Sequence, residues 1–326
     1  DAEPLPINAG THRMRMGRLA DELTARGHDV TWWHSTFHHF TKSRLVRTSG
    51  VLEITPSYRI KFIEAGAYSG NMSMSRYRHH RALAVRFLSE TSTLRAPDVL
   101  VAAFPIPWFA HAAVTYAVTN RVPAIVDVRD LWPDIFLHKS PAALRGLVRL
   151  ATHDMAKKTE WLMGHADGIV AVSSGYLKWA LKRAGREEGP CDRVLPLGYR
   201  APDPAANYKV LPSKLLAIAP RLAGRILATF TGSFGHSYDL MTVCDAASRL
   251  VAAGRNDIHI IIAGDGERRA AIEKRIACLP NVTLLGWLEK EEMDALLDMS
   301  DMGLVCCVSV ADTLPNKVYQ YLAAGL

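Results

Sequence analysis

No stretch of the sequence reaches the roughly 18 uncharged apolar residues that a bilayer-spanning helix needs, so the reading contains no transmembrane segment. The P-loop pattern G-x-x-x-x-G-K-[ST] is absent, which argues against an ATPase of that type. H-E-x-x-H is missing, and no histidine pair at ligand spacing stands beside acids, so no metal is expected. The histidines of "FHHF" and "RYRHHR" read as surface or interface residues. G-x-S-x-G is lacking, which removes the usual hydrolase elbow, and so is the full G-x-G-x-x-G dinucleotide turn. The five cysteines, Cys191, Cys244, Cys278, Cys306 and Cys307, make no C-x-x-C pair. They read as small hydrophobes in a reducing compartment, not as disulfides or zinc ligands. No low-complexity tract, short repeat, initiator Met or signal peptide is present.

What is present is an alternation of apolar β-rich runs and helical patterns over 326 residues. "GRLADELTARGHDV" has Leu19, Ala20 and Leu23 at helical spacing, a Gly27 stop, and then the strand "VTWWHS". Further strands are predicted at "YRIKFIEA", "DVLVAAFP", "PAIVDV", "DGIVAVSS" and "DRVLPLG". Continuous apolar strands separated by helices imply a parallel sheet covered on both faces. "YRAPDPAANYKVLP" is rich in proline and polar residues and reads as a linker. A second alternation follows, with strands at "ILATFTGS", "IHIIIAGDG", "VTLLGW" and "MGLVCCV". The predicted class is α/β, with two tandem Rossmann-like, doubly wound domains: residues 1–198, a linker region 199–225, and 226–326. "DAEPLPINAG" opens without a strand before it, and "YLAAGL" ends on a Gly stop. Both ends therefore read as cut, which predicts an inactive piece of a longer protein with an incomplete sheet in each domain.

Charge is unevenly spread. Residues 1–200 carry 27 Lys+Arg and 18 Asp+Glu, net +9, and residues 201–326 carry 12 and 14, net −2. A basic first part suggests an anionic partner: a membrane surface, a diphosphate or a nucleic acid. Nucleic acid is disfavoured because no recognition motif accompanies the charge.

Ligands of open α/β sheets bind beyond the carboxyl ends of the strands. The burst "DVRDLWPD" at 127–134 follows the apolar run "VPAIV" on that rim. Asp127, Arg129 and Asp130 read either as ligand-facing groups or as an Arg–Asp pair that fixes a loop. Gly10 precedes the first helix, where backbone N–H groups meet phosphates readily. Gly232, Ser233 and Gly235 in "FTGSFGHS", and Gly264, Asp265 and Gly266 in "IIAGDGERR", are further strand-to-loop turns. Each alone reads as a tight turn; three together favour a nucleotide.

"DVRDLWPD", "IIAGDGE", "VTLLGWLEKEEMDALLDMSDMGLV" and "LPNKVYQYLAAG" together resemble family-4 retaining glycosyltransferases of the GT-B fold. The branch resembled most is that of L-fucosamine transferases of bacterial surface-polysaccharide assembly. The resemblance spans nearly the whole chain. It implies transfer from a nucleotide-diphosphate sugar, usually UDP-linked, with retention and without a metal or other cofactor. It places the nucleotide on the second domain and the acceptor on the first. It further implies that Gly10 and residues 232–235 face the diphosphate. Residues 264–266 and "GWL" at Gly286 to Leu288 would lie near the base. The family's E-x7-E signature falls at Asp312 to Gln320, so this chain reads D-x7-Q. Gln320 stands where the family's Glu binds ribose; Asn316 begins the same motif, and Lys317 meets the diphosphate. Many relatives carry a catalytic His where this chain has Arg129, and an Arg–Lys pair after the "TG" turn is missing here. The resemblance leaves Asp130, with Asp127 as the second choice, to orient or deprotonate the acceptor hydroxyl. Trp132 either stacks on a sugar or packs at the strand end.

Two segments read as acceptor or membrane contacts. "SRYRHHRALAVRF" clusters Arg76, Arg78, Arg81 and Arg86 with aromatics. In "SPAALRGLVRLATHDMAKKTEWL", Leu144, Leu147, Val148, Ala151 and Met155 form one stripe of a single predicted helix. Arg145, Arg149, His153 and Lys157 line a neighbouring face. Such a helix lies on anionic lipid or packs on its own sheet. The partners expected are a nucleotide sugar, a polyprenyl-diphosphate-linked or saccharide acceptor, and the cytoplasmic face of the membrane. Two alternatives stand beside this: a sugar-nucleotide 2-epimerase, and a non-catalytic sugar-nucleotide binder.

Overall fold

The computed structural model describes residues 3–7, 13–39, 42–70, 73–198, 212–235, 237–308 and 315–326. The chain divides into two compact units, Asp1–Pro196 and Leu197–Leu326.

The first unit runs α1 (Arg15–Ala25), β1 (Val30–Ser35), β2 (Phe37–His38), β3 (Ser43–Arg44), β4 (Gly50–Thr55), β5 (Tyr58–Ile63), α2 (Met74–Thr91), β6 (Leu100–Phe104), α3 (Pro107–Asn120) and β7 (Ala124–Val128). It continues through α4 (Asp134–Lys139), α5 (Arg145–Ala151), α6 (His153–Gly164), β8 (Gly168–Ala171), α7 (Ser174–Ala184) and β9 (Arg193–Val194). All six predicted strands form, but not in one sheet. Among the described residues, β6, β7, β8 and β9 make one parallel sheet, and β1 pairs with β5 in another. The expectation of a single, wholly parallel sheet is corrected by β4 as well. This strand runs antiparallel to β5, with Thr55 opposite Tyr58 across a two-residue turn. Its alternating exposure is that of an edge strand with one wet face,.

Residues 3–5 touch both sheets of this unit. Leu5 packs with Tyr58, Ile60 and Phe62, while the Glu3 carboxylate pairs with Arg129 just after β7. Glu3 also accepts from the N–H groups of Met16 (2.8 Å) and Gly17 (3.3 Å). The first turn of α1 is thus satisfied by a carboxylate at its positive end.

The second unit contains α8 (Ser213–Leu216), α9 (Ala219–Leu222), β10 (Ile226–Thr231), α10 (Leu240–Ala252), β11 (Ile258–Ala263), α11 (Arg269–Ile276), β12 (Val282–Leu285), α12 (Lys290–Asp298), β13 (Met302–Gly303) and α13 (Asn316–Ala323). Its sheet has the order β12–β11–β10–β13, every pair parallel. Ala228, Phe230, Ile260 and Ile262 fill one face, with Leu240, Cys244 and Ile272; Leu227, Ile261 and Ala263 fill the other, with Leu288 and Leu296. Full burial of a Phe or Ile is worth about 1.5–3 kcal/mol, which accounts for two-sided hydrophobic strands. Two predictions need correction. The second half of the linker region is helical, because Leu215 and Leu222 of α8 and α9 are buried in this core. The strand in "MGLVCCV" pairs over two residues only, after which residues 304–308 turn to meet residues 237–239.

Candidate functional site

The charges after β7 are largely absorbed by local ion pairs. Asp127 is 2 % exposed and accepts two bonds from Arg15 Nε, at 3.0 and 2.9 Å. Arg15 in turn donates to the carbonyls of Leu195 (2.8 Å) and Pro196 (3.1 Å). Arg129 binds Glu3 and lies 3.6 Å from Asp127. Burying one of these charges alone would cost several kcal/mol; each is buried with its partner. Asp127 and Arg129 thus sit in the loop-fixing ion pairs that were one of the two readings of this motif. Asp130 is half-buried, accepts from the N–H of Leu131 at 2.8 Å and acts electrostatically on Arg76. Asp134, at the end of the motif, binds Trp179 Nε1 (2.7 Å) and Arg183.

The second unit carries a cleft of about 190 Å³, lined by Thr231, Gly232, Ser233, Tyr238, Gly264, Trp287, Leu288, Met293, Asn316, Lys317 and Gln320. That is several times the share of liquid volume of one water, about 30 Å³. The cleft lies where the strand order reverses: the loop after β10 and the start of α13, which follows β13, face each other there. Ligands of open parallel sheets bind at such a switch point.

Two glycines let this cleft form. Gly264 has φ +140° and a Cβ on it would overlap the Gly232 carbonyl oxygen. Gly232 has φ +132°, and a Cβ there would stand 3.3 Å from Lys317 Nζ. Both conformations are rare for L side chains.

Lys317 opens α13 and is 5 % exposed. Its Nζ stands 3.5 Å from the ring centroid of Phe230 and 3.4 Å from that of Tyr238, and it has no hydrogen-bond partner among the described residues. Burial pushes its pKa from 10.5 down to about 7, against the opposing effect of Cys306 and Cys307. A buried ammonium without a hydrogen-bonded counter-charge is costly. Two aromatic faces recover part of that cost through cation–π attraction. One turn on, Tyr321 takes a bond from the N–H of Thr231 on its hydroxyl oxygen, at 2.9 Å. Gly303 gives its ring room, since a Cβ there would run into it. Gln320 Oε1 accepts from Thr231 Oγ1 at 3.5 Å.

Of the residues singled out in sequence, Gly232, Ser233, Gly264, Leu288, Asn316, Lys317 and Gln320 line this cleft. Gly235, Asp265 and Gly266 do not. Asp265 serves its own turn, accepting from the N–H of Gly266 (2.7 Å) and from Arg269 (3.2 Å). Gly10 and Asp312 lie outside the described residues. Trp287, the middle residue of the "GWL" expected near the base, lines the cleft too, whereas Tyr238 and Tyr321 were not singled out. For Tyr321 a signal existed: it stands four residues after Lys317, so the two share one helix face.

In the first unit, Arg76 is half-buried in the first turn of α2, and its guanidinium lies 5.1 Å from the centroid of half-buried Trp132; Arg78 is exposed. His79 and His80 are 1 % exposed, so the expectation of surface histidines in "RYRHHR" is corrected. Their helix face turns onto Phe37, Tyr68, Trp108 and Trp132, where burial lowers His79 to about 4 and His80 to about 3. The single helix predicted around Arg145 and Arg149 breaks at Thr152 into α5 and α6. Met155 is buried, but Leu144, Leu147 and Leu150 are 50, 66 and 74 % exposed.

Residues 225–326 match the family model described as glycosyl transferases group 1. No curated protein matches the chain. Among solved structures, the E. coli trehalose-6-phosphate protein bound with UDP-2-fluoro glucose shares 12 % identity at TM-score 0.68, covering 99 % of this chain and 80 % of that one. The fold is that of the GT-B glycosyltransferases. The UDP-forming α,α-trehalose-phosphate synthase of Burkholderia vietnamiensis shares 14 % at TM-score 0.67, covering 95 % and 80 %. WaaG, a glycosyltransferase involved in lipopolysaccharide biosynthesis, shares 13 % at TM-score 0.62, covering 95 % and 75 %.

Proposed function

We propose that the protein is a retaining glycosyltransferase that moves a sugar from a UDP-linked donor to a lipid-linked or saccharide acceptor in bacterial surface-polysaccharide synthesis. The observation that carries this reading is Lys317. It is an ammonium without a hydrogen-bond partner among the described residues, facing a cleft at the switch point of a parallel sheet, beside the glycine turn at 232. Among the described residues no carboxylate hydrogen-bonds Lys317, and a diphosphate supplies such a counter-charge. The match of residues 225–326 to glycosyl transferases group 1 and the UDP-2-fluoro glucose bound by the E. coli neighbour support the same donor class.

In this reading the diphosphate lies against Lys317, the 232–233 turn and the start of α13. Trp287, 65 % exposed at the rim, covers the base, and Gln320 meets the ribose. Gln320 both donates and accepts, so it serves a hydroxyl without the charge of a carboxylate. The donor C1–O bond breaks first, and the pair of electrons goes to the leaving diphosphate oxygen. Lys317 stabilises that oxygen; one well-placed donor of this kind is worth about 3 kcal/mol. The acceptor hydroxyl attacks the same face of the oxocarbenium-like centre, which retains configuration, and gives its proton to a base, for which Asp130 is proposed. No cofactor takes part in this scheme.

The proposed place is the cytoplasmic face of the membrane, held peripherally. No helix among the described residues is long and apolar enough to cross a membrane. Exposed Leu144, Leu147 and Leu150 with Arg145 and Arg149 suit shallow insertion into anionic lipid,.

The test is a thermal-shift panel of UDP-, GDP- and ADP-sugars on the full chain. UDP and a UDP-sugar should raise Tm, and Lys317→Met should remove that rise. A panel with no stabilising nucleotide would reject the reading.

A further inference from the structure

The corner that holds Lys317 Nζ has three sides. Phe230 of β10 and Tyr238 of the loop after it present their rings at 3.5 and 3.4 Å from Nζ to centroid. The two rings meet edge to face, 5.5 Å apart at 71°. The bare Cα of Gly232 closes the third side, where a Cβ would stand 3.3 Å from Nζ. At these distances the ammonium lies over the ring faces, so the contact is made by the π-system of Tyr238 and not by its hydroxyl.

The two rings differ in what else they do. Phe230 is fully buried and packs with Phe234, Leu240 and Ile262, so the core needs it whatever Lys317 does. Tyr238 is half-buried and lines the cleft. Its loop is fixed by backbone bonds. The Asp239 N–H donates to the Cys306 carbonyl (2.8 Å), the Val308 N–H to the Ser237 carbonyl (3.2 Å), and Tyr238 pairs antiparallel with Cys307. Asp239 beside it is engaged elsewhere: its carboxylate caps α10, accepting from the N–H (3.2 Å) and the hydroxyl (2.7 Å) of Thr242. The titratable groups acting on Lys317 are Cys306 and Cys307; Asp239 acts on Cys306, and Cys306 and Tyr238 act on Tyr321. Burial raises the Cys306 thiol, which is therefore uncharged at neutral pH.

Among the described residues Lys317 is the one cation lining the cleft, so binding of an anion there depends on where this single ammonium stands. A lysine side chain has four rotatable bonds and no preferred direction of its own. A ring carried by a backbone-fixed loop supplies that direction, because attraction to the ring face falls away as the ammonium leaves it. We propose that Tyr238 is the positioning residue of the donor site, the face of its ring holding Lys317 Nζ beside the 232 turn in reach of the diphosphate. This rests on the donor reading above and assigns a role to a residue that touches the lysine, not the reacting atoms.

The test reads the lysine first, without ligand. NMR of the lysine ε-carbons in the isotope-labelled full chain follows the titration of Lys317, whose signal is the one lost in Lys317→Met. Tyr238→Leu removes a face that favours the ammonium and keeps the site apolar, so the midpoint should fall by about one pH unit. Tyr238→Phe, which keeps the face, should bring it back. Tyr238→Met gives the same reading if the Leu variant is unstable. A midpoint that stays in place or rises in the Leu and Met variants overturns the inference, and so does a Phe variant that behaves as they do. Calorimetry with UDP at pH 7 is the second measurement. A fall of one unit leaves about a tenth of Lys317 charged instead of half, so Tyr238→Leu should bind UDP about fivefold more weakly and Tyr238→Phe should recover the loss. A lysine midpoint that follows the ring in a protein that binds no UDP rejects the donor reading alone. UDP binding that needs Lys317 and is indifferent to Tyr238→Leu rejects this inference alone.

Discussion

Lys317 shows how one residue's environment sets a site's behaviour. In the unfolded chain it holds its proton to about pH 10.5, and in the folded protein only to about pH 7. Below pH 7 both states are charged and the folded state bears the cost of a buried ammonium. Between pH 7 and 10.5 the unfolded chain binds more protons, so stability rises with pH across that window as far as this residue is concerned. A diphosphate reverses the balance by supplying a partner for the charged form. Binding of UDP at pH 8 is therefore expected to take up close to one proton, and its affinity to fall as pH rises above 7. Calorimetry in two buffers of different ionisation enthalpy reads the proton directly; identical binding enthalpies in both would contradict it. Lys317 itself was legible in sequence through the "LPNK" motif. Its aromatic box was not, because Phe230 and Tyr238 lie some 80 positions upstream and become neighbours through the sheet order alone.

The strand-to-helix turns are the elements that make the cleft. The backbone after β11 passes so close to the one after β10 that Gly264 admits no Cβ, while Gly286 after β12 meets nothing nearer than an arginine tip at 3.6 Å. Gly264→Ala is expected to destabilise the protein by more than about 2 kcal/mol and Gly286→Ala by less than about 0.5 kcal/mol in urea unfolding. Similar losses for both would show that backbone contact is not what demands glycine. Elements with a strong periodic signal were readable: every predicted strand exists, because a run such as "IHIIIA" has no polar face to turn outward. The β4 hairpin strand was overlooked although "GVLEIT" alternates by two, since its outward Glu53 and Thr55 make it look like a loop. The buried histidines of α2 were misread because composition does not tell which face of a helix meets an aromatic wall.

Across the whole molecule, the basic excess of residues 1–200, net +9, is matched by an apolar surface on α5. Exposed charge acts over about 10 Å at 0.1 M salt, and exposed leucines act on contact. Vesicles rich in phosphatidylglycerol are expected to sediment the protein at low salt, less so at 0.5 M, and phosphatidylcholine vesicles not at all. Leu147→Glu should weaken sedimentation severalfold without lowering Tm, because that side chain is two-thirds exposed. Binding indifferent to lipid charge and to Leu147 would dismiss the membrane contact. The charge asymmetry was plain in sequence, whereas the exposure of Leu144, Leu147 and Leu150 followed from the helix break at Thr152, which no local residue signals strongly.

The phenol of Tyr321 ties α13 to the last residue of β10, and the bare Cα of Gly303 makes room for its ring. One wall of the cleft is thereby clamped: an enlarged residue at 303 or a lost hydroxyl at 321 shifts Lys317 as well. The opposite wall, from Trp287 to Met293, is fastened at the exposed surface instead, where Lys214 donates to the Trp287 carbonyl (3.1 Å) and to Glu292 (2.8 Å), and surface ion pairs hold weakly,. Descendants of this sequence that acquire a taste for a different ligand should accordingly record their changes between 287 and 293 and keep 303, 317 and 321 as they are.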